Sequence, residues 1–255
     1  MPVKSLKHIK ALTFDLDDTL WPLKHTLEQA EQAANDFLVA QIDSDDYDFC
    51  RSTLIPFYRD LIAQNPHLKC QLSTLRQRSY EGALLAAGLD ASRASDLSHQ
   101  ALKTFVAARS DVQLYAGTYD SLALLKEKYT LGVITNGNAS FEKMPVAQLF
   151  DFYISAEQVG HAKPDSAIFD VAFTRCKIAN RLVMSPEEVL HIGDDKITDV
   201  FGANRFGFSS CWLYDGSKDN SMGHKFMDQL PDSDDPALMP DVQISCLKEL
   251  ILLLD

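Results

Sequence analysis

From residue 129 onward the sequence alternates between short apolar runs and helical patterns, and this alternation constrains the fold more than any other feature. Residues 129–135 (YTLGVIT), 152–155, 189–192 and 209–214 read as strands. Helical patterns over 118–128, 165–176 and 197–206 stand before or between them, the last closed by Gly207. Strands that alternate with helices form a parallel sheet covered on both faces, because each crossover lays its helix against the sheet. A short strand and a closing helix over 242–254 extend the pattern.

The chain opens with another strand. Residues 9–16 are mostly apolar and are cut off by Asp15, Asp17 and Asp18. The rhythm then changes: residues 24–109 carry helical patterns and no convincing strand. Leu27, Ala30, Ala34, Phe37, Leu38 and Ile42 recur at helical spacing, and Tyr47, Cys50, Leu54, Phe57, Tyr58 and Leu61 do so again, with Pro56 as a kink. Leu72, Leu75, Ser79 and Ala83 define a third helix with Gly88 at its C-terminus, and Leu97, Ala101, Leu102 and Phe105 a fourth, with Ser92 as its N-cap. The expected fold class is α/β: one parallel sheet flanked by helices (residues 1–20 and 112–255) with a four-helix bundle (21–111) inserted after the first strand. Residues 215–240 are polar, without period, and read as a solvated connection.

Composition narrows the class of function. A net charge of −12 over 255 residues lacks the basic footprint of a nucleic-acid-binding protein. The five cysteines are odd in number and not at metal-ligand spacing, which fits reduced thiols in a cytoplasmic protein. The basic N-terminus is not followed by an unbroken apolar stretch, and the apolar residues 247–254 are too few to span a bilayer. A soluble cytoplasmic protein, monomer or homodimer, with no membrane partner, is the expectation.

Chemistry-bearing residues gather near the C-terminal ends of the expected strands, the edge at which open parallel sheets bind ligands. Asp15, Asp17 and Asp18 close the first strand. Each is a common turn residue, but together they provide a carboxylate nucleophile and a second carboxyl for acid/base work. Thr135-Asn136-Gly137 is either a plain turn or a hydroxyl and backbone N–H groups that grip phosphoryl oxygens. Lys163 is either a solvated lysine or a fixed positive charge near such a group. Asp194 and Asp199, at and after another strand end, either belong to a strand-stopping turn that caps the next helix or offer oxygen ligands of the kind magnesium prefers, while Asp195 is the member of that run most readily read as structural. Phosphoryl transfer needs positioning and charge neutralisation above all, and this set provides both.

These segments resemble, in order, the four motifs of the haloacid dehalogenase superfamily: FDLDDT, ITNG, AKPD and HIGDDKITD. The resemblance spans essentially the whole chain, with the helical insertion matching a cap of the C1 type. It implies a Rossmann-like core and a hydrolase in which Asp15 is the nucleophile and a Mg2+ ligand. Asp17 is then the general acid/base, with its carbonyl on the metal. Thr135 and Asn136 bind phosphate, Lys163 binds phosphate and orients Asp15, Asp194 ligates the metal, and Asp199 supports it. Dehalogenases of the superfamily lack an acid two residues after the nucleophile, so Asp17 favours a phosphatase acting on a small phosphorylated metabolite. A 2-haloacid dehalogenase or an inactive binding protein on the same fold are the alternatives. The wording around the motifs is similar to that of bacterial riboflavin-pathway phosphatases, which makes 5-amino-6-(5-phospho-D-ribitylamino)uracil or flavin mononucleotide (FMN) the leading substrates. Trp21, His25, Arg76 and Arg78 are read as packing or solvated residues rather than substrate contacts.

Overall fold

The computed structural model describes residues 5–181, 183–214, 216 and 230–254. Its strands are β1 (Ala11–Phe14), β2 (Thr130–Thr135), β3 (Phe152–Ser155), β4 (Val189–Gly193), β5 (Ser209–Leu213) and β6 (Val242–Ile244). They form one sheet in the order β3-β2-β1-β4-β5-β6, and every pairing is parallel. All residues of β1 and β4 are buried, whereas edge strand β6 alternates buried and exposed. This is the pattern a doubly covered parallel sheet imposes on its central strands. The alternating α/β reading therefore holds, with strand ends moved by a residue or two; the expected strand over 9–16 shortens to β1, because the chain turns sharply at the aspartates.

The chain divides into two compact units. The first comprises residues up to Pro22, Gln113–Gly137 and Pro145 onward, and the second comprises Leu23–Val112 and Asn138–Met144. In the first unit, α5 (Thr118–Lys126), α6 (Ala156–Val159), α7 (Ser166–Asn180), α8 (Gly202–Phe206) and α9 (Leu247–Leu254) accompany the sheet. Its core joins Ala11, Ile134, Ile154 and Val189 from the strands to Ile168, Phe169 and Ala172 of α7. The end of α8 at a left-handed Gly207 agrees with the sequence. Residues 215 and 217–229, which make up much of the expected polar connection, lie outside the described residues.

The second unit is built on four helices: α1 (Leu23–Val39), α2 (Ser44–Gln64), α3 (Leu72–Ala86) and α4 (Ala91–Arg109). α4 packs on α1 and α3, and α3 packs also on α2. Ala30, Ala34, Ala94 and Ala101 in the shared core give little side-chain bulk, which lets backbones approach closely. α2 is the least covered, with Phe49 and Ile55 exposed, and it runs on through Pro56. Gly88 follows α3 in the left-handed conformation, as its position predicts. Arg76 is tied within the unit, donating to Glu31 Oε1 at 3.0 Å with its guanidinium 3.7 Å from the centre of the Phe105 ring. His25 and Arg78 are exposed.

One cap differs from the expectation. α4 begins at Ala91, and its N-cap is Asp90, whose carboxylate accepts from the Arg93 N–H at 3.0 Å. Ser92 already lies inside the first turn, so it cannot serve as the cap. Asp90→Ala is expected to cost about 1 kcal/mol of stability and Ser92→Ala less than about 0.5 kcal/mol. Urea denaturation of the two variants checks this, and equal effects would contradict the assignment. All five cysteines are free, three of them buried. No helix among the described residues is long and apolar enough to cross a membrane.

Candidate active site

The sheet order places β1 between β2 and β4, so three chain segments leave the same C-terminal edge side by side. Asp15 follows β1, Asn136 follows β2 and Asp194 follows β4. The Asp15 N–H still donates to the Ile192 carbonyl at 2.9 Å, which keeps Asp15 in register with β4. Neighbouring strands lie about 4.8 Å apart, so functional groups at these ends fall within one small volume.

Lys163 is the hub. It is 3% exposed, and its Nζ donates to Asp15 Oδ1 at 2.7 Å and to Asp199 Oδ1 at 2.6 Å. It belongs to no strand or helix; Asn136 secures it instead. The Asn136 side chain accepts from the Lys163 N–H at 2.8 Å and donates to the Lys163 carbonyl at 3.0 Å. The motif after β2 thus delivers the lysine found later in the chain. Beside it, the Thr135 hydroxyl accepts from the Gly137 N–H at 2.9 Å, which shapes the turn.

Asp199 reaches the hub because of an unusual helix start. The helix expected over 197–206 begins as a wide π turn, Lys196–Phe201, and becomes α-helical only at Gly202. Asp195 caps it, accepting from the Ile197 and Thr198 N–H groups at 2.8 Å each, in keeping with a structural role. The wide turn directs the Asp199 carboxylate back under the end of β4. A Cβ on Gly193 would stand 2.2 Å from Asp199 Cγ, so this approach requires glycine at that position. π turns of this sort gather at functional sites.

Two further bonds hold Asp199. The Asp195 N–H donates to its Oδ2 at 2.9 Å, and His191 Nε2 lies 3.1 Å from its Oδ1. His191 Nδ1 lies 3.0 Å from the Thr13 hydroxyl, its register partner on β1. A neutral imidazole with its proton on Nε2 satisfies both contacts, the Thr13 hydroxyl donating to Nδ1. Thr13 and His191 are site residues that sequence pattern alone does not single out. The available signal was a polar residue in each of two otherwise apolar, buried strands. Asp194 is held through its side chain by the Thr19 hydroxyl at 3.1 Å and through its carbonyl by the Trp212 indole N–H at 2.7 Å.

The charges are unequal. Burial pushes the Asp15 carboxyl up to about 7; Lys163 pulls against that, while Asp199 and Asp17 add to it. Asp194 is pushed well above the carboxylate range, first by burial and then by Asp199 and Asp15. Asp199 goes the other way: burial opposes its charge, but Lys163 and His191 outweigh burial and keep it ionised. Lys163 is likewise held above its ordinary range, since its two carboxylates outweigh burial. Burial lowers His191, in keeping with a neutral ring. One lysine therefore serves several buried carboxylates, and once all three are ionised the balance is negative.

That balance, and the donors, suit a hard cation. One oxygen from each of Asp15, Asp194 and Asp199 lies within 4.8 Å of the others. Carboxylate oxygens so placed fit magnesium. Both Asp199 oxygens already accept hydrogen bonds, so Asp15 and Asp194 are the better-placed donors. The Asp17 carboxylate accepts from the Trp21 indole at 2.9 Å.

A family model for haloacid dehalogenase-like hydrolases matches residues 9–207. The 5-amino-6-(5-phospho-D-ribitylamino)uracil phosphatase YigB of Escherichia coli is 34% identical over 251 residues, covering 98% of each chain. A glyceraldehyde 3-phosphate phosphatase of Methanopyrus kandleri is 28% identical over 255 residues, covering 95% of this chain and 96% of the other. Among solved structures, a 2-haloacid dehalogenase from Pseudomonas syringae pv. Tomato matches with a TM-score of 0.80 at 31% identity, over 96% of this chain and 98% of that one. The chain belongs to the haloacid dehalogenase-like hydrolases. Both curated relatives named here are phosphatases, and this protein is a phosphatase enzyme of that family.

Proposed function

We propose that this protein is a magnesium-dependent phosphomonoesterase that works through an aspartyl-phosphate on Asp15, with 5-amino-6-(5-phospho-D-ribitylamino)uracil or FMN as its substrate. The observation that carries the mechanism is the buried Lys163 bridging Asp15 and Asp199 beside Asp194. Asp15 and Asp194 would hold Mg2+ together with the Asp17 carbonyl, and Asp199 would support it. When bound, the cation offsets charge on the carboxylates and the phosphoryl oxygens.

The chain's own groups supply the rest. Lys163 holds Asp15 Oδ1 and so limits rotation of the carboxylate. A carboxylate oxygen of Asp15 attacks phosphorus, and the bond from phosphorus to the leaving oxygen breaks. The Asp17 carboxyl gives its proton to that oxygen and, as carboxylate, then takes a proton from the water that attacks the phospho-aspartate. Inorganic phosphate leaves and Asp15 is restored. The Thr135 hydroxyl and the Asn136 N–H bind phosphoryl oxygens in this scheme, and Lys163 faces both phosphate and nucleophile. The substrate assignment is supported by the full-length likeness to the E. coli phosphatase.

The test is a phosphometabolite panel containing p-nitrophenyl phosphate, FMN and the ribitylaminouracil phosphate, run with Mg2+ or with chelator, alongside 2-chloropropionate. Magnesium-dependent phosphate release, highest kcat/KM on the flavin-pathway compounds and no chloride release are expected. Turnover unaffected by chelator would overturn the metal reading. Chloride release without phosphatase activity would favour the dehalogenase alternative, which the presence of Asp17 argues against.

A further inference from the structure

The chain has only two tryptophans, and each donates its indole N–H to a residue of the site. Trp212 secures a backbone carbonyl. Trp21 bonds the side chain that moves the proton. Its Nε1 donates to Asp17 Oδ1 at 2.9 Å, and the residue is 0% exposed.

The loop between them is built to make this contact. Asp18 takes a left-handed backbone, with φ of 55°. The Leu20 N–H donates to the Leu16 carbonyl at 2.7 Å, and the Asp18 N–H donates to the Trp21 carbonyl at 2.8 Å. Asp17 and Trp21 form a β-bridge. The Tyr115 N–H, donating to the Leu20 carbonyl at 2.9 Å, secures the loop from outside. With its backbone fixed this way and its ring buried, the indole is a stationary donor.

We propose that Trp21 is a positioning residue that fixes the orientation of the acid/base carboxyl of Asp17 and assigns the travelling proton to its Oδ2. An indole N–H donates and cannot accept. Oδ1 therefore acts as the carbonyl-like oxygen of the neutral acid, and the proton resides on Oδ2. In the first step the Oδ2–H bond breaks as the proton passes to the leaving alkoxide. In the second, Oδ2 receives a proton from the attacking water. Loss of the indole donor removes a restraint that holds Oδ1, and the fraction of productive encounters falls.

The inference rests on the acid/base role proposed for Asp17, and leaving-group dependence separates the two. A nitrophenolate leaves without help, whereas an alkoxide needs the acid. Trp21→Phe keeps a buried ring and removes the N–H. Its turnover of FMN, an alkyl phosphate, should fall about tenfold or more, while the pre-steady-state burst of nitrophenolate from p-nitrophenyl phosphate stays within about threefold. KM should change little. Equal losses on both substrates, or no loss on either, would overturn the proposal. If the phenylalanine variant does not fold, a benzothienylalanine at position 21, which replaces the N–H by sulfur at nearly constant shape, gives the same comparison. In an Asp17→Asn background, Trp21→Phe should add nothing further on FMN, and additive losses would again refute the proposal. Retention of full FMN turnover by Asp17→Asn alone would instead refute the role of Asp17, so the two failures are distinguishable.

Discussion

Asp15→Asn is expected to lower turnover of every phosphate ester by about ten-thousandfold or more, roughly 5 kcal/mol of transition-state stabilisation. The amide is close in size but is a poor nucleophile. It also carries donors, so it can turn an N–H toward the Lys163 ammonium, where the carboxylate only accepts. Steady-state assay with p-nitrophenyl phosphate and Mg2+ measures the loss, and residual activity above about one per cent of wild type would remove Asp15 from the nucleophile role.

The same substitution has an opposite and testable effect on stability. In the metal-free protein the Asp15 pKa is about 7, above its ordinary value of 3.8, with burial as the main cause. Between those values the folded state holds a proton that the unfolded state has released. The contribution of Asp15 is therefore fully present below about pH 4 and is lost as pH rises through about 7, a change of a few kcal/mol. Asparagine has no charge to bury. With chelator present, Asp15→Asn should melt above wild type at pH 8, and the gap should narrow toward pH 5. Magnesium should close the gap at pH 8 by stabilising only the wild type, since binding to the folded state adds to its stability. A variant that melts lower than wild type at pH 8 without metal would show that the bond to Lys163 outweighs the cost of burial.

Lys163→Met should be the most destabilising single change in the site, at about 3–5 kcal/mol, and should reduce kcat at least a hundredfold. The lysine is the shared cation of Asp15 and Asp199, bonded to both within 2.7 Å, and its side chain is 2% exposed. Methionine fills much of the volume but leaves two buried carboxylates without their cation. The penalty should be greatest at high pH, where both are charged, and smaller at pH 5, where Asp15 is neutral. Urea denaturation at the two pH values with chelator measures it. A loss under about 1 kcal/mol at pH 8 would mean that Asp199 and Asp15 are satisfied by other donors. Lys163→Arg should not rescue activity, because the planar guanidinium cannot replace a point charge in this enclosure.

Much of the site was legible because its residues stand at strand ends. Periodicity shows where an apolar strand stops, and a parallel sheet brings those stops to one edge. Asp15, Thr135 and Asp194 needed no more than that. Lys163 was harder, since it follows a short helix and a turn rather than a strand. Its position depends on the Asn136 side chain, 27 residues earlier, and no local pattern reports such a bond. Thr13 and His191 were missed because each sits singly in a strand otherwise read as apolar. Their pairing is meaningful only once β1 and β4 are known to be neighbours in register. The cap of α4 lies two residues before the expected Ser92 because serine and aspartate are comparable caps, and only backbone geometry decides between Asp90 and Ser92.

Hydrophobic period and strand-stopping residues act locally, so the alternating core, the inserted helical region and the carboxylates at the strand ends can be read along the chain. How those carboxylates divide the work depends on the folded arrangement. One lysine sits between Asp15 and Asp199. The π turn and Gly193 let Asp199 reach it. Lys163 and His191 keep Asp199 charged while Asp15 and Asp194 are pushed toward neutrality. These are properties of burial and of distances between residues far apart in the chain. In a low-dielectric site they govern which acid carries charge, and neither burial nor distance is written in any single stretch of sequence.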